Sequence, residues 1–437
     1  MTLTPDWPPS LWAAATPAGP LWPTLDQAVQ TDVAVIGAGF TGSSTALHLA
    51  RRGIDVTVIE AAEPGWGASG RNNGQVIPTL SRPDPEDIIR RHGAAGERLV
   101  HLIRDSAAGL FDLIRAESID AEAEQNGWIQ PVHTPGRIRI AERRVRQWSA
   151  HGAPVEMVSA ESMRERLGSD AWHGGWWNPT GGHVNPLALA RGLAAAAQRA
   201  GARVFARSPV LTMTHSTGPQ GGWLLTTASG QVRARALVLA TNAYTGEFAP
   251  QLAPSIAREV VPMMSWQMAT APVSEAARRL VIPGRQAVSD THGELYFMRY
   301  DARHRLITGG ALVNRRDGAR RLRPYVGARL QRLFPALSEV RFDYVWNGYL
   351  AMTDDYFPRM HRLGPDAYTW VGCNGRGVAL SVALGRELAR AVTGTAEDEL
   401  ALPFSEPRPL PMHGLARRLA PLMLMLYRYR DRRELPA

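Results

Sequence analysis

The run Asp32-Val-Ala-Val-Ile-Gly37-Ala-Gly39-Phe40-Thr41-Gly42 decides the fold. Asp32 to Ile36 reads as a short apolar strand, and Leu47, Leu49 and Ala50 set helical spacing over Thr41 to Arg52. Asp55 to Ile59 is a second, β-branched strand and runs into an acidic residue, Glu60. This is a β-α-β unit with G-x-G-x-x-G at its first turn. Gly37 permits the tight turn, Gly39 lets backbone approach a pyrophosphate, and Gly42 lets helix and strand pack closely. The helix start at Phe40 and Thr41 offers phosphates free N–H groups and about half a positive charge. Glu60 accepts from ribose hydroxyls. The unit predicts a dinucleotide site but does not choose between NAD and FAD.

Two further segments make that choice. Gly65-Trp-Gly-Ala-Ser69-Gly70-Arg71-Asn72-Asn73-Gly74-Gln75 carries too many glycines and hydrogen-bonding groups for a helix or strand. Gly372-Cys-Asn374-Gly375-Arg376-Gly377 opens a second helix at Val378. A second helix N-terminus stabilises negative charge at the pyrimidine edge of a reduced flavin, for which NAD enzymes have no need.

Around these motifs the chain alternates. Residues 1–30, rich in Pro, Trp and Ala, read as an N-terminal arm anchored by Trp7, Trp12 and Trp22 on the surface of the main body. Charged amphipathic helices span Glu86 to Ile114, and short strands are expected at Trp128 to Ile129 and Arg137 to Ile140. The expected fold class is α/β: a doubly wound, Rossmann-like cofactor domain from residues 31–83, 173–245 and 345–400. A mostly β substrate domain from 84–172 and 246–344 is interlaced with it. Residues 401–437 form a basic helical tail. Its stretch Arg417 to Arg433 is basic at both ends with an apolar centre, and is read as a helix packed on the cofactor domain rather than a membrane-surface contact.

Composition excludes several functions. All 49 lysine-plus-arginine positions are Arg, so no lysine Schiff base forms and pyridoxal phosphate attachment is excluded. One cysteine, Cys373, excludes internal disulfides and thiolate clusters, and no histidine spacing suggests a metal. The net charge of +9 is spread along the chain, so nucleic acid is not the expected partner. The apolar stretches are far shorter than the ~20 residues that cross a bilayer. The first fifty residues lack Arg and Lys, and a cytoplasmic location is the expectation.

DVAVIGAGFTG (32–42), WGASGRNNGQ (66–75), GGHVNP (181–186), ATNAY (240–244), WNGYLAMTDDYFP (346–358) and GCNGRG (372–377), in this order, resemble the D-amino acid oxidase/sarcosine oxidase/glycine oxidase family of flavoproteins. The likeness runs from about residue 10 to 430 and is nearest to γ-glutamylputrescine oxidase-like members. It implies FAD across the α/β domain and substrate between the flavin and the β domain. Gly37, Gly39, Phe40, Thr41, Gly42 and Glu60 would hold the adenosine and pyrophosphate, with Thr241 beside them. Ser69, Gly70, Arg71, Asn72, Asn73, Gly74 and Gln75 would lie under pyrophosphate and ring, and Asn374, Gly375, Arg376, Gly377 and Val378 at the pyrimidine edge. Asn73 stands where glycine is usual. Neither cysteine nor histidine occupies the positions at which some relatives tether flavin, so FAD is expected to be non-covalent.

The resemblance further implies hydride transfer from the carbon beside nitrogen to flavin N5, giving an imine that hydrolyses. The expected substrate is a small amine or amino acid, in particular a γ-glutamylputrescine-like or other polyamine-derived amine, with oxygen as acceptor. The alternatives are a D-amino acid or N-methyl amino acid dehydrogenase with a membrane or quinone acceptor, and a flavin-containing RNA-binding protein. Arg299 matches a strand arginine that takes the substrate carboxylate in glycine oxidase-like relatives; its other reading is an interdomain salt bridge. Tyr296 and Trp346 read as pocket walls or as core. His183 is either a polar group near the flavin or a turn residue before a helix.

Overall fold

The computed structural model describes residues 6–218, 221–313 and 316–434, so the outermost residues of the arm and of the tail lie outside the described residues. One sheet contains five parallel strands in the order Ala367–Val371, Gln231–Leu239, Ala28–Ile36, Val56–Ile59, Arg203–Phe205. Arg359–Gly364 closes one edge antiparallel, and the hairpin Thr212–Ser216/Gly222–Thr226 pairs with Gln231–Leu239. Val33 to Ile36 and all of Val56–Ile59 are buried without alternation, as in a parallel sheet covered on both faces.

The first strand starts at Ala28, four residues before the apolar run. Ala28 to Thr31 pair with Gln231 to Ala234 while alternating exposed and buried, so composition hid them. The arm also contains a short helix, Leu11–Ala15, whose Ser10 accepts from the Ala13 N–H. Trp12 is fully buried rather than resting on the surface.

The glycine motif opens the helix Phe40–Ala50, which packs on Gly377–Val392, more than 300 residues away in sequence. Ser44 Oγ donates to Val382 O (2.8 Å) and Thr45 Oγ1 to Gly385 O (3.0 Å).

The second large sheet runs in the order Phe342–Met352, Val261–Pro272, Arg305–Gly310, Phe297–Tyr300, Ala287–Ser289, Trp128–Pro131, Gly175–Asn178, Glu156–Val158. Two expected domain limits therefore move. Gly175–Asn178 pairs with Trp128–Pro131, and Phe342–Met352 pairs along nearly its whole length with Val261–Pro272. Both belong to this second sheet rather than to the parallel one.

The expected strand at Arg137 to Ile140 is instead the start of a helix, Ile138–Ala150. Its isoleucines suggested a strand, but Ala141, Arg144 and Trp148 are the buried positions and recur at helical spacing. The tail forms helices His413–Leu419 and Met423–Glu434. The latter lies against the loop at 290–294 and, through Tyr427, also meets Arg82 (2.8 Å) and Tyr356 (3.1 Å) of the expected cofactor domain, so it bridges the two expected domains. Arg428 pairs with Glu294 (2.6 and 3.0 Å), and Asp431 accepts from the Gly293 N–H (2.9 Å).

Candidate active site

A cavity of about 1390 Å³ lies between the two sheets and reaches both glycine-opened helix starts. At the first, Gly39 occupies the N-cap of Phe40–Ala50 with no side-chain cap, which leaves the first-turn N–H groups to a ligand or a neighbour. Ser69 Oγ takes one of them, from Phe40, at 2.9 Å. A Cβ on Gly39 would stand 2.7 Å from that hydroxyl, and one on Gly42 only 1.9 Å from Gly37 O. Gly42 thus serves packing, and Gly39 keeps the approach to the helix start open.

Glu60 closes the second strand. Its carboxylate accepts from the Ala38 N–H (2.8 Å) and the Ala62 N–H (2.9 Å), tying the glycine turn to the chain beyond the strand. Burial raises its pKa, opposed by these backbone bonds. Each oxygen keeps a lone pair for a ribose hydroxyl.

The loop 65–75 is fixed by its own side chains and from behind. Asn72 Oδ1 accepts from the Gly74 N–H (2.8 Å) and Asn73 Oδ1 from the Gln75 N–H (2.9 Å), local turns that favour asparagine. Asn73 therefore has a reason to stand where glycine is usual. Three successive carbonyls point away from the cavity into donors: Arg71 O to Trp346 Nε1 (2.8 Å), Asn72 O to Trp12 Nε1 (2.9 Å) and Asn73 O to Arg299 Nε (2.7 Å).

This corrects the substrate-side candidates. Arg299 is buried and does not line the cavity. Its guanidinium also donates to Tyr300 O (2.9 Å) and Val184 O (2.8 Å) and stacks over Trp12. Each of its nitrogens serves a backbone carbonyl, and its place behind the cavity wall keeps it from clamping a carboxylate there. Burial pulls its pKa down to about 10. Trp346 is core, set edge-on to Trp12. His183 is buried in the two-stranded pairing of Gln75–Val76 with Gly182–His183, its Nε2 3.0 Å from Arg285 O. Burial and the nearby Arg299 hold it well below the usual histidine range, hence neutral. Tyr296 stacks between His292 (4.0 Å) and the Arg329 guanidinium (4.2 Å), behind the cavity wall.

The cofactor candidates divide by role. Gly37, Gly39, Phe40, Thr41, Glu60, Ser69, Arg71, Asn72, Asn73, Gln75, Thr241, Asn374, Gly375, Arg376, Gly377 and Val378 line the cavity. Gly42, Gly70 and Gly74 stand behind it, where a Cβ would strike backbone oxygens at 1.9, 2.2 and 2.1 Å. At the second helix start Asn374 Oδ1 accepts from the Thr353 N–H (2.9 Å). Arg376 is buried beside the Trp128 ring (4.7 Å), and its guanidinium makes no hydrogen bond among the described residues. Burial, with Arg144 adding repulsion, lowers it to about 9. A buried cation without a partner is costly unless a ligand meets it. Together with the uncapped helix start at Gly39, it makes the residues present a fit for an anionic dinucleotide.

The sequence reading missed His292, the one imidazole lining the cavity among the described residues. Its Nδ1 lies 2.5 Å from the buried carboxylate of Asp290, and its ring stacks on His133 at 3.8 Å. An Asp and a His two residues apart carry no recognisable signal without the loop that bends them together. Glu97, His101 and His151 bring ligand atoms within 4.8 Å of one another on the surface, but none of them lines the cavity.

Residues 32–391 match the family described as FAD dependent oxidoreductase (DAO). The chain is 32% identical over 390 residues to the gamma-glutamylputrescine oxidoreductase of Escherichia coli (strain K12), covering 89% of each. It is 32% identical to a probable oxidoreductase OrdL of Haemophilus influenzae, covering 86% of each. Glycine oxidase from Geobacillus kaustophilus shares the fold with a TM-score of 0.69 at 22% identity, over 84% of this chain and 96% of that one. L-amino acid deaminase from Proteus vulgaris does so with 0.71 at 18%, over 92% and 98%. Glycine-opened helix starts, the acid after the second strand and this match across most of the sequence have one reading: the chain is an enzyme of the DAO family of FAD-dependent oxidoreductases.

Proposed function

We propose that this enzyme oxidises a C–N bond in a small amine or amino acid, with a γ-glutamylputrescine-like or other polyamine-derived amine as substrate and oxygen as acceptor. The observation that carries the proposal is a single cavity that touches both helix starts and continues to the antiparallel sheet. Its volume exceeds the ~300–1,000 Å³ of ordinary ligand pockets, leaving room for a second molecule beside a dinucleotide. The E. coli relative's name supports the choice of substrate.

FAD, held without a covalent bond, supplies the hydride acceptor when bound. The protein's residues do the rest. The loop 65–75 and the two helix starts would hold the dinucleotide, and the Arg376 guanidinium would offset the negative charge that the cofactor gains on reduction. The donor must be a neutral amine. Deprotonating a Lys-like amine of pKa ~10.4 at neutral pH costs about 4–5 kcal/mol, against about 1 for an α-amine near ~8. The guanidiniums of Arg71 and Arg376 on the cavity wall lower an amine's pKa and with it that cost. His292, its Nδ1 engaged by Asp290, is the imidazole of the cavity wall among the described residues.

The test is anaerobic bleaching of the flavin with γ-glutamylputrescine, free polyamines, sarcosine and D-amino acids, followed by a peroxide assay with and without an artificial dye. Bleaching by γ-glutamylputrescine with peroxide release is expected. Bleaching by D-amino acids alone would overturn the substrate, and turnover only with dye would overturn the acceptor.

A further inference from the structure

Eight of the fifteen large apolar side chains exposed among the described residues fall between Met412 and Tyr429. On the helix Met423–Glu434 the inward face is set by the buried Leu424 and Asp431. Opposite them Leu422, just before the helix, Leu426 and Tyr429 recur at i, i+4 and i+7 and form one outward stripe. A stripe of this kind on a surface marks an interaction site rather than chance exposure.

The charges around it have one sign. Arg418, Arg430, Arg432 and Arg433 are exposed, and none pairs with a carboxylate among the described residues. The two acids of the helix are turned to the body of the protein: Asp431 accepts the Gly293 and Glu294 N–H groups, and Glu434 pairs with Arg137 at 2.5 and 2.9 Å. Two copies meeting through this face would set these arginines against each other, which disfavours a second copy as occupant. No helix among the described residues is long and apolar enough to cross a membrane.

We propose that the C-terminal helices dock in the interface of an anionic lipid bilayer, the apolar stripe entering the headgroup boundary and the arginines meeting lipid phosphates. The docked face is the outer side of the segment whose inner side, at Leu424, Tyr427 and Asp431, walls the cavity. The cavity is thereby brought to the membrane surface.

Flavin-loaded enzyme is sedimented with vesicles of about one-third phosphatidylglycerol in phosphatidylcholine, and with phosphatidylcholine alone, at low and high salt. Two variants are compared, Leu422→Ser/Leu426→Ser/Tyr429→Ser and Arg432→Gln/Arg433→Gln, whose positions do not line the cavity. Unchanged melting and flavin content certify their fold. The expected result is salt-sensitive binding to the anionic vesicles only, weakened at least tenfold in each variant. The proposal is overturned by absence of binding to anionic vesicles, by equal binding to neutral ones, by variants that bind like the parent, or by a dimer that the apolar variant dissolves without any vesicle binding.

Discussion

The Nε of Arg299 donates to the carbonyl oxygen of Asn73 at 2.7 Å, so this strand arginine supports the loop that lines the cofactor cavity from the side away from the ligand. Its two other nitrogens reach Tyr300 O and Val184 O. A Cβ on Gly74, which has φ +77°, would lie 2.5 Å from Arg299 Nη2. Loop and guanidinium are therefore built around each other.

Replacing Arg299 with Met leaves three buried carbonyls without their charged donor and should destabilise the fold by about 3–5 kcal/mol. FAD retention should fall as well. Turnover of carboxylate-bearing and carboxylate-free amines should drop by the same factor. Denaturant unfolding and steady-state kinetics check this; selective loss on carboxylate-bearing amines with normal stability would restore the clamp role.

Gly42→Ala places a methyl 1.9 Å from Gly37 O, so the helix must leave its strand. A loss of more than about 3 kcal/mol and purification without flavin are expected. Gly109→Ala, in the helix Ala94–Ala116 with no atom within 4 Å of the new methyl, should instead stabilise by about 0.5–1 kcal/mol. The pair of melting curves separates contact from propensity.

Burial holds His48 and His133 neutral, with pKa values lowered from 6.5 to about 4. Between these limits the unfolded chain binds more protons than the folded one. Their contribution is full above pH 6.5 and is lost as pH falls towards 4. Each can cost up to about 3 kcal/mol over that window. A melting series against pH should show the decline, and His133→Asn should flatten it.

Acid precipitation should release the flavin to the supernatant and leave a colourless pellet. A yellow pellet would require a covalent bond, for which Cys373 is the sole thiol on the cavity wall.

Arg376→Met removes a buried cation that has no hydrogen-bond partner among the described residues. The two-electron potential of the bound flavin should become more negative by about 30–60 mV, corresponding to a tenfold to hundredfold loss of stabilisation of the reduced form. Spectroelectrochemical titration measures it, and an unchanged potential would remove Arg376 from the pyrimidine edge.

What the sequence revealed and what it hid follow from the range of the interactions involved. The turn Gly37 to Gly42 and the helix start at Gly377 are local devices, and their spacing alone predicts helices whose ends agree with the structure to within a residue or two. Ser69 and Asn72, which the family resemblance assigned to the cofactor loop, line the cavity. For Arg299, Trp346 and His183 the sequence left a ligand-side and a structural reading open, because the side to which a residue points depends on what packs behind it. Here that partner is a backbone carbonyl more than 100 residues away in each case. The inward face of the tail was hidden likewise, since Asp431 finds its partners at Gly293 and Glu294.

The pairing of the helix Phe40–Ala50 with Gly377–Val392 also orders events in the cell. During synthesis the glycine turn emerges more than 300 residues before the helix that packs on it. A nascent chain stalled before Val382 leaves Ser44 without its acceptor Val382 O and Thr45 with only Thr41 O of its own helix. The glycine unit therefore reaches its packed form only after residues 377–392 have been made.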